Sequence, residues 1–463
     1  MPGPEVEKFR DRVATVNERG ERNWVSAKKP RGLFAKWRTI FSFFQMFIFV
    51  TLPFLKINGH PFLLLDFIER KFVLFGLVFG PHDFHLFGLT MIAVLVFIIL
   101  FTAAFGRIFC GWFCPQTLFM EMIFRKIEFW MFGINGISPI TKKKHPGKMF
   151  IKHIIFFIIT FIITHILLAY FMGGDDMLEL ASQPFENTGA YIGISIFSFV
   201  LFLEYTRFRE QLCTFICPYG RLQGVLLDQD SIVIAYDYKR GEPREFLRKN
   251  RERTGGDCIN CKECIAVCPT GIDIKNGTQL ECINCTACID ACDFVMKRVG
   301  FEPGLIRYAS KTEIETGHRK IFTIRTIAYS VVLTLLVTLI SFLLVNRSDV
   351  ELTILRTRGL MWQDRPDNKI SNMYDVKIIN KTWDAFNVNL ELNNVQGEID
   401  IVGKELIVKS QEVNETKFFI VLDNKQITQL STPIEIKVLK QGKTIDLIKT
   451  TFLGKVKKDS NEN

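Results

Sequence analysis

Cys258-Ile-Asn-Cys261-Lys-Glu-Cys264-Ile-Ala-Val-Cys268-Pro269 and Cys282-Ile-Asn-Cys285-Thr-Ala-Cys288-Ile-Asp-Ala-Cys292 are the two stretches that decide how this chain is read. Each run has the spacing Cys-x2-Cys-x2-Cys-x3-Cys, and together they use eight of the twelve cysteines. In two-cluster ferredoxins that spacing gives each [4Fe–4S] cluster three thiolates from one run and the fourth from the other. Cluster one therefore takes Cys258, Cys261, Cys264 and Cys292, and cluster two takes Cys282, Cys285, Cys288 and Cys268. Structural zinc needs only four ligands and usually a longer gap between its pairs, so this repeat fits two cubanes better than zinc or disulfides. The second run departs from the first at one point, Asp293 standing where the first has Pro269.

Working outward, hydrophobic residues make up 48% of the 463, with 44 phenylalanines, and they are unevenly spread. Apolar runs at 37–55, 84–105, 150–172, 190–203 and 321–345 predict five transmembrane helices, since a helical span needs about 20 residues. The fourth run is the shortest and needs flanking residues such as Tyr205 to complete it. Glu204 near its end reads as a snorkelling or paired interfacial carboxylate. No secretory signal peptide is expected, because the first apolar run leads into further spans rather than a cleavage site.

Lys and Arg concentrate on the cytoplasmic side of short loops. The N-terminal segment is rich in them, as is the loop after the second span (Arg125, Lys126, Lys142, Lys143, Lys144, Lys148), whereas 173–189 has none and carries Asp175, Asp176 and Glu179. Five spans then put the N-terminus inside and the C-terminus outside. The net charge of +10 reads as a topology signal, and nucleic acid is not an expected partner. All twelve cysteines fall on the reducing side or at its membrane edge, where thiols serve as ligands rather than staples.

The other four cysteines form Cys110-Gly-Trp-Phe-Cys114-Pro115 and Cys213-Thr-Phe-Ile-Cys217-Pro218, one motif just past the second span and one just past the fourth. Proline suits the first turn of a helix, where its missing N–H has no partner to lose. Each motif is thus expected to end one helix and open an amphipathic one, over roughly 115–132 and 218–227. If the hairpins pack together, four thiols converge. They could hold a further iron–sulfur cluster or a soft ion such as Cu(I), or act as small buried hydrophobes. His82, His85 and His165 lie toward the outer ends of the spans; they could ligate haem or copper, although hydrogen-bonded interfacial histidines are the commoner case.

After the fifth span the pattern changes. Tyr374-Asp-Val-Lys-Ile-Ile379, Phe386-Asn-Val-Asn-Leu-Glu-Leu392, Phe418-Phe-Ile-Val-Leu422 and Ile434-Glu-Ile-Lys-Val-Leu439 alternate or run apolar between polar breaks. This predicts an immunoglobulin-like β-sandwich without a disulfide, serving as a docking or stabilising module. Met361, Trp362 and Met373 are expected to pack there rather than bind metal. The fold class is thus a multidomain membrane protein: a five-helix transmembrane region, an inserted bacterial 2[4Fe–4S] ferredoxin-like domain and a C-terminal Ig-like β-sandwich. The expected boundaries are a basic N-terminal segment at 1–36, four spans with both Cys-x3-Cys-Pro motifs at 37–227 and the ferredoxin-like domain at 228–320. The fifth span follows at 321–345, the β domain at 346–457 and a disordered tail at 458–463.

Taken together, the chain resembles the cytochrome c oxidase accessory family called CcoG, FixG or RdxA. The resemblance is carried by Arg70-Lys-Phe-Val-Leu-Phe-Gly-Leu77, Cys110-Gly-Trp-Phe-Cys-Pro-Gln-Thr117, Cys213-Thr-Phe-Ile-Cys-Pro-Tyr-Gly-Arg-Leu-Gln223, Asp237 to Pro243, both ferredoxin runs, and Ile378-Ile-Asn-Lys-Thr382. Gly80 and His82, flanking Pro81, depart from the aromatic or polar residues expected there. The resemblance implies a protein of the bacterial inner membrane with two [4Fe–4S] clusters, acting in assembly of a cbb-type cytochrome c oxidase. It implies reduction of Cu(II) to Cu(I), with copper as substrate and Cys110, Cys114, Cys213 and Cys217 as the redox or copper-handling site. The partners implied are the oxidase and its copper-delivery factors, with a cytoplasmic electron donor. A quinol-oxidising relay subunit of anaerobic respiration and a non-catalytic assembly scaffold are the alternatives. The β domain after a fifth span argues against the former, and loss of copper reduction on replacing the four Cys-x3-Cys-Pro cysteines would argue against the latter.

Overall fold

The structure, a computed structural model, describes residues 14–16, 19–68, 70–134, 145–183, 185–247, 254–403, 406–427, 429–440 and 442–455. Lys142, Lys143 and Lys144, the whole of the 458–463 tail and the side chain of His82 lie outside the described residues. Two compact units emerge, one of 1–69 with 85–340 and one of 70–84 with 341–463.

Five helices are long and apolar enough to cross a membrane: Leu33–Phe54, Phe84–Phe105, Pro146–Met172, Thr188–Phe208 and Ile324–Val345. Their apolar side chains are largely exposed to the surroundings, Phe43, Phe47 and Phe342 among them, as suits surfaces solvated by lipid. The fourth span reaches 21 residues because a π-helical turn, Glu204–Phe208, extends it through Tyr205. The acidic segment between the third and fourth spans contains a short helix, Gly174–Ser182, with Asp175 and Asp176 in its first turn, where negative charge favours the helix dipole.

In the first unit the ferredoxin runs fold between the strands Val233–Tyr236 and Ile306–Ala309, which pair antiparallel and close the region at its ends. Ile234, Ile274, Ile289, Met296, Leu305 and Ile306 form its core together with Cys258, Cys264 and Cys292. Helix Ala287–Val299 carries Cys288 and Cys292 and stops at Gly300, whose φ of 80° gives the left-handed cap glycine accepts readily.

This region is fastened to the spans by specific polar contacts. The Asp290 carboxylate accepts from the backbone N–H groups of Phe34 (3.1 Å) and Ala35 (2.7 Å), capping the first span, whose own preceding residue, Gly32, offers no side chain. A Cβ on Gly32 would lie 2.2 Å from Asp290 Cγ, so the cap requires glycine there. The N-terminal segment follows the same surface: Lys28 N–H donates to Ala266 O at 2.8 Å, and its ammonium pairs with Glu263 at 2.9 Å.

A buried ionic network sits beside the membrane-edge helices. Arg209 donates to both oxygens of Glu128, at 3.0 and 2.9 Å, with Lys152 at 3.5 Å from the same carboxylate. Arg125 pairs with Glu121 at 3.2 Å, and Arg22 with Glu210 at 2.9 Å. Burial opposes ionisation of Glu128, but Arg209, Lys152 and Arg125 outweigh it and hold the carboxyl below its ordinary value.

The second unit is a two-sheet sandwich. Its strands are β1 (Val350–Arg356), β2 (Gln363–Arg365), β3 (Lys369–Asn380), β4 (Phe386–Leu392), β5 (Gly397–Ile401), β6 (Leu406–Val408), β7 (Val413–Asp423), β8 (Ser431–Lys440) and β9 (Lys443–Leu453). One sheet has the order β5-β7-β3-β1, with β2 added on β3, and the other β6-β4-β8-β9. All four quoted segments are strands, and Phe386, Val388 and Leu390 point inward from β4 as period-two alternation requires. Tyr374 stacks on Phe418 at 5.5 Å in the core, and its hydroxyl donates to Thr451 O at 2.9 Å. Trp362 packs against this core while Met361 is exposed.

Residues 70–84 belong to this unit too, forming the hairpin Lys71–Leu74 with Leu77–Phe79. Asp83 is buried and paired with Arg347 at 2.7 Å and Lys381 at 3.0 Å, and the Trp383 indole donates to Gly76 O at 3.2 Å. Sequence order separates these residues by most of the chain.

Candidate electron-transfer centres

Two small cavities lie inside the ferredoxin region. Cys258, Cys261, Cys264 and Cys292 line one, together with Tyr236, Met296 and Leu305. Cys268, Cys282, Cys285 and Cys288 line the other, among Ile234, Ile272 and Ile283, with Cys264 also touching its wall. Each grouping takes three cysteines from one run and one from the other. In each cavity the thiols ring a space. Four sulfur donors around an apolar hollow fit a [4Fe–4S] cubane and suit zinc poorly.

Burial pushes the Cys264 and Cys282 thiols up to about 12 and Cys285 to about 11. Thiolate is costly in these sites by itself, and a bound iron core is what holds such ligands deprotonated. Both runs share a strained backbone. Asn260 and Asn284 adopt φ of 52°, and Lys262 and Thr286, following the second cysteines, adopt 59° and 64°. Asparagine tolerates this region, while a β-branched threonine does so only where the surroundings over-determine it.

The Cys-x3-Cys-Pro motifs are built alike. Cys114 and Cys217 precede the helices Pro115–Leu118 and Pro218–Leu226 with φ of −65° and −68°, and each proline is at the first helical position. Cys114 N–H bonds Phe109 O at 2.9 Å and Cys217 N–H bonds Leu212 O at 2.8 Å, both across five residues. The first helix continues as a π-helix, Phe119–Phe124, and then Arg125–Phe132. Such wide turns recur at functional sites.

The two motifs do meet. Ionisation of Cys110 is opposed by nearby Cys114 and Cys217, and that of Cys213 by Cys114, Cys110 and Cys217. Burial pushes both Cys110 and Cys213 up to about 12, with neighbouring Arg107 partly opposing this at Cys110. Cys110 Sγ lies 3.0 Å from Gln223 Oε1, which also accepts from Arg107 Nε at 3.0 Å. The Arg107 guanidinium reaches Gly220 O as well, so it joins the start of one hairpin to the helix of the other.

The first motif also abuts the second cysteine run. A Cβ on Gly111 would lie 2.4 Å from Ile283 O and 2.8 Å from Asn284 O. Cys110 packs in one apolar cluster with Val267, Ile283, Cys285 and Ala287. Arg38 of the first span donates to Gly111 O at 2.8 Å. Gly106, at φ 59°, is also close-packed, its absent Cβ 2.9 Å from Ile232 O.

His85 and His165 lie apart from this site. His165 Nδ1 is 2.8 Å from Phe161 O, within its own helix, and its ring packs near Tyr191. His85 is exposed. The sequence alone points to no role for Arg107, Gly111, Gln223 or Asp290, and to Arg38 only as one of the N-terminal cations. Gly111 and Gln223 stood inside the quoted motifs, but only their packing partners reveal what they do.

Residues 208–311 match the family described as "4Fe-4S dicluster domain", 87–132 the "4Fe-4S binding domain", and 340–455 the "IG-like fold at C-terminal of FixG". Protein RdxB of Cereibacter sphaeroides is 30% identical over 421 residues, covering 86% of this chain and 87% of the relative. The chain belongs to the FixG/RdxA family. Protein RdxA of the same organism is 31% identical, covering 76% of this chain and 78% of that one. The nitrogen fixation protein FixG of Rhizobium meliloti is 27% identical, covering 87% of each. Membership in this family, with its dicluster domain, makes the protein an iron–sulfur membrane protein.

Proposed function

We propose that this protein carries single electrons to a membrane-edge thiol site and there reduces Cu(II) to Cu(I) during assembly of a cbb-type cytochrome c oxidase. Cys258, Cys261, Cys264 and Cys292 hold one [4Fe–4S] cluster, and Cys268, Cys282, Cys285 and Cys288 the other. Bound there, the clusters supply one-electron redox capacity. The observation that carries the reading is the backbone contact of Gly111 with Ile283 and Asn284, which sets Cys110 against the second thiol set. Cys110, Cys114, Cys213 and Cys217 are the copper-handling residues, their soft sulfurs favouring Cu(I) over Cu(II). Each copper gains one electron, supplied in turn by a cytoplasmic reductant. Arg107 and Gln223 position Cys110.

The loop charges support an inner-membrane orientation with the ferredoxin region cytoplasmic and the β domain periplasmic, where the latter docks the oxidase or its copper-delivery factors.

The test is anaerobic titration of the reduced, full-length protein with Cu(II), following bleaching of the visible iron–sulfur absorption alongside Cu(I) trapped by a chelator. Stoichiometric Cu(I) that is lost in Cys110→Ser/Cys213→Ser, with cluster content intact, is the expected result. A protein that stays reduced in the presence of Cu(II) refutes the copper reading.

A further inference from the structure

A cavity of about 860 Å³ opens beside the second thiol set, with Cys285 in its wall. Its other walls come from the N-terminal segment, the first turns of the first span and the membrane-edge helix Arg125–Phe132. Among the described residues, Lys29, Arg31, Lys36, Arg38 and Lys126 line it, against Glu121 alone for negative charge. Glu121 is already paired with Arg125 at 3.2 Å. Among the described residues, none of the five cations has a carboxylate within ion-pair distance. Lys126 donates to Thr39 Oγ1 at 3.2 Å, and burial with the charges of Lys29 and Arg38 holds its ammonium below the ordinary lysine value. The mouth is apolar, with Ile40 59% and Trp130 80% exposed.

We propose that this cavity binds the headgroup of a net-anionic membrane phospholipid, and that the bound lipid lowers the reduction potential of the cluster at Cys285. Two features favour lipid as the occupant. The cations cluster at the start of a membrane span, where juxtamembrane Lys and Arg attract anionic headgroups. Ile40 and Trp130 then offer the acyl chain an apolar path away from the phosphate, with tryptophan suited to the interface. The effect on potential is electrostatic. Adding an electron beside a fixed anion is less favourable than beside uncompensated cations, and the attenuation by solvent is weak at a buried site. Membrane composition thereby sets the driving force of the electron carrier. The potential effect rests on the proposed cluster at Cys285; headgroup binding does not, and neither depends on copper.

The experiment uses the full-length holoprotein. Native mass spectrometry from mixed phosphatidylcholine and phosphatidylglycerol detergent micelles counts retained lipid. Redox titration followed by electron paramagnetic resonance, in nanodiscs of either lipid, reads the potentials. The expected result is one phosphatidylglycerol retained by the wild type and bound at least tenfold more weakly by Lys29→Gln/Lys36→Gln/Lys126→Gln. Lys148→Gln, an exposed cation at the start of the third span outside the cavity, keeps it. One cluster's potential is lower in phosphatidylglycerol than in phosphatidylcholine, and the triple variant abolishes the difference. Lys36→Glu, a single change at an exposed position, shows the same direction if the triple variant folds poorly. Retention unaffected by the cavity variants, or equal loss in Lys148→Gln, overturns the site. Inorganic phosphate reproducing the potential shift in phosphatidylcholine nanodiscs overturns lipid as the occupant, and unchanged potentials despite specific retention overturn the redox coupling.

Discussion

Replacing Gly111 with alanine perturbs the contact that carries the proposed electron path. The added Cβ would stand 2.4 Å from Ile283 O, 2.8 Å from Asn284 O and 2.9 Å from Asn284 C. All three are backbone atoms, so no side-chain rotation relieves the clash. Ordinary contact begins at 3.4 Å, and the hairpin must therefore retreat by about 1 Å along the tightest approach. Overpacking of this kind costs ~1–3 kcal/mol. The retreat also stretches the 2.8 Å bond from Arg38 to Gly111 O and disturbs the loop between Cys282 and Cys285. Thermal bleaching of the visible iron–sulfur absorption should begin at lower temperature in Gly111→Ala, and further still in Gly111→Val. Paramagnetic resonance should show one of the two cluster signals altered and the other preserved. Gly193→Ala, where an added Cβ meets nothing within 4 Å, serves as the control and should match the wild type. Wild-type bleaching and unaltered spectra in Gly111→Ala would refute the claim that the motif packs backbone to backbone on the second cysteine run.

Asp290→Ala removes the cap on Phe34 and Ala35 and should cost about 1–2 kcal/mol, read as faster proteolysis of the N-terminal segment; unchanged cleavage would show that the carboxylate is not the fastening. Arg209→Met leaves the buried Glu128 without its bidentate partner and should destabilise by roughly 3–5 kcal/mol, whereas Arg209→Met/Glu128→Leu should recover much of that in a thermal melt. In the second unit burial raises the Asp83 carboxyl, but Arg347 and Lys381 outweigh it and hold it below 3.8. Its contribution to stability is thus fully present above the unfolded value and lost as pH falls through the lower folded one. Circular dichroism melts should show Asp83→Asn destabilised near neutrality, and the gap to wild type should narrow below about pH 3.8; a gap independent of pH would mean that the Asp83 charge is not what matters.

What could be read directly from the chain was whatever local spacing controls. Ligand spacing in the two cysteine runs, the proline after each Cys-x3-Cys, the apolar length of the spans and the period-two strands each depend on residues near one another in sequence. The fourth span was marginal by apolar length, and the π-turn at Glu204–Phe208 completed it in a form that hydropathy does not register. Tertiary structure alone decided which surfaces meet. Asp290 capping the first span, Gly111 against Ile283, Arg107 bridging two hairpins and residues 70–84 joining the C-terminal unit all pair segments far apart in the chain. A glycine required by a neighbouring backbone looks the same in sequence as one in open space, and a carboxylate that caps a distant helix looks the same as a solvated one. Their roles depend on the partner, and only the folded chain supplies it.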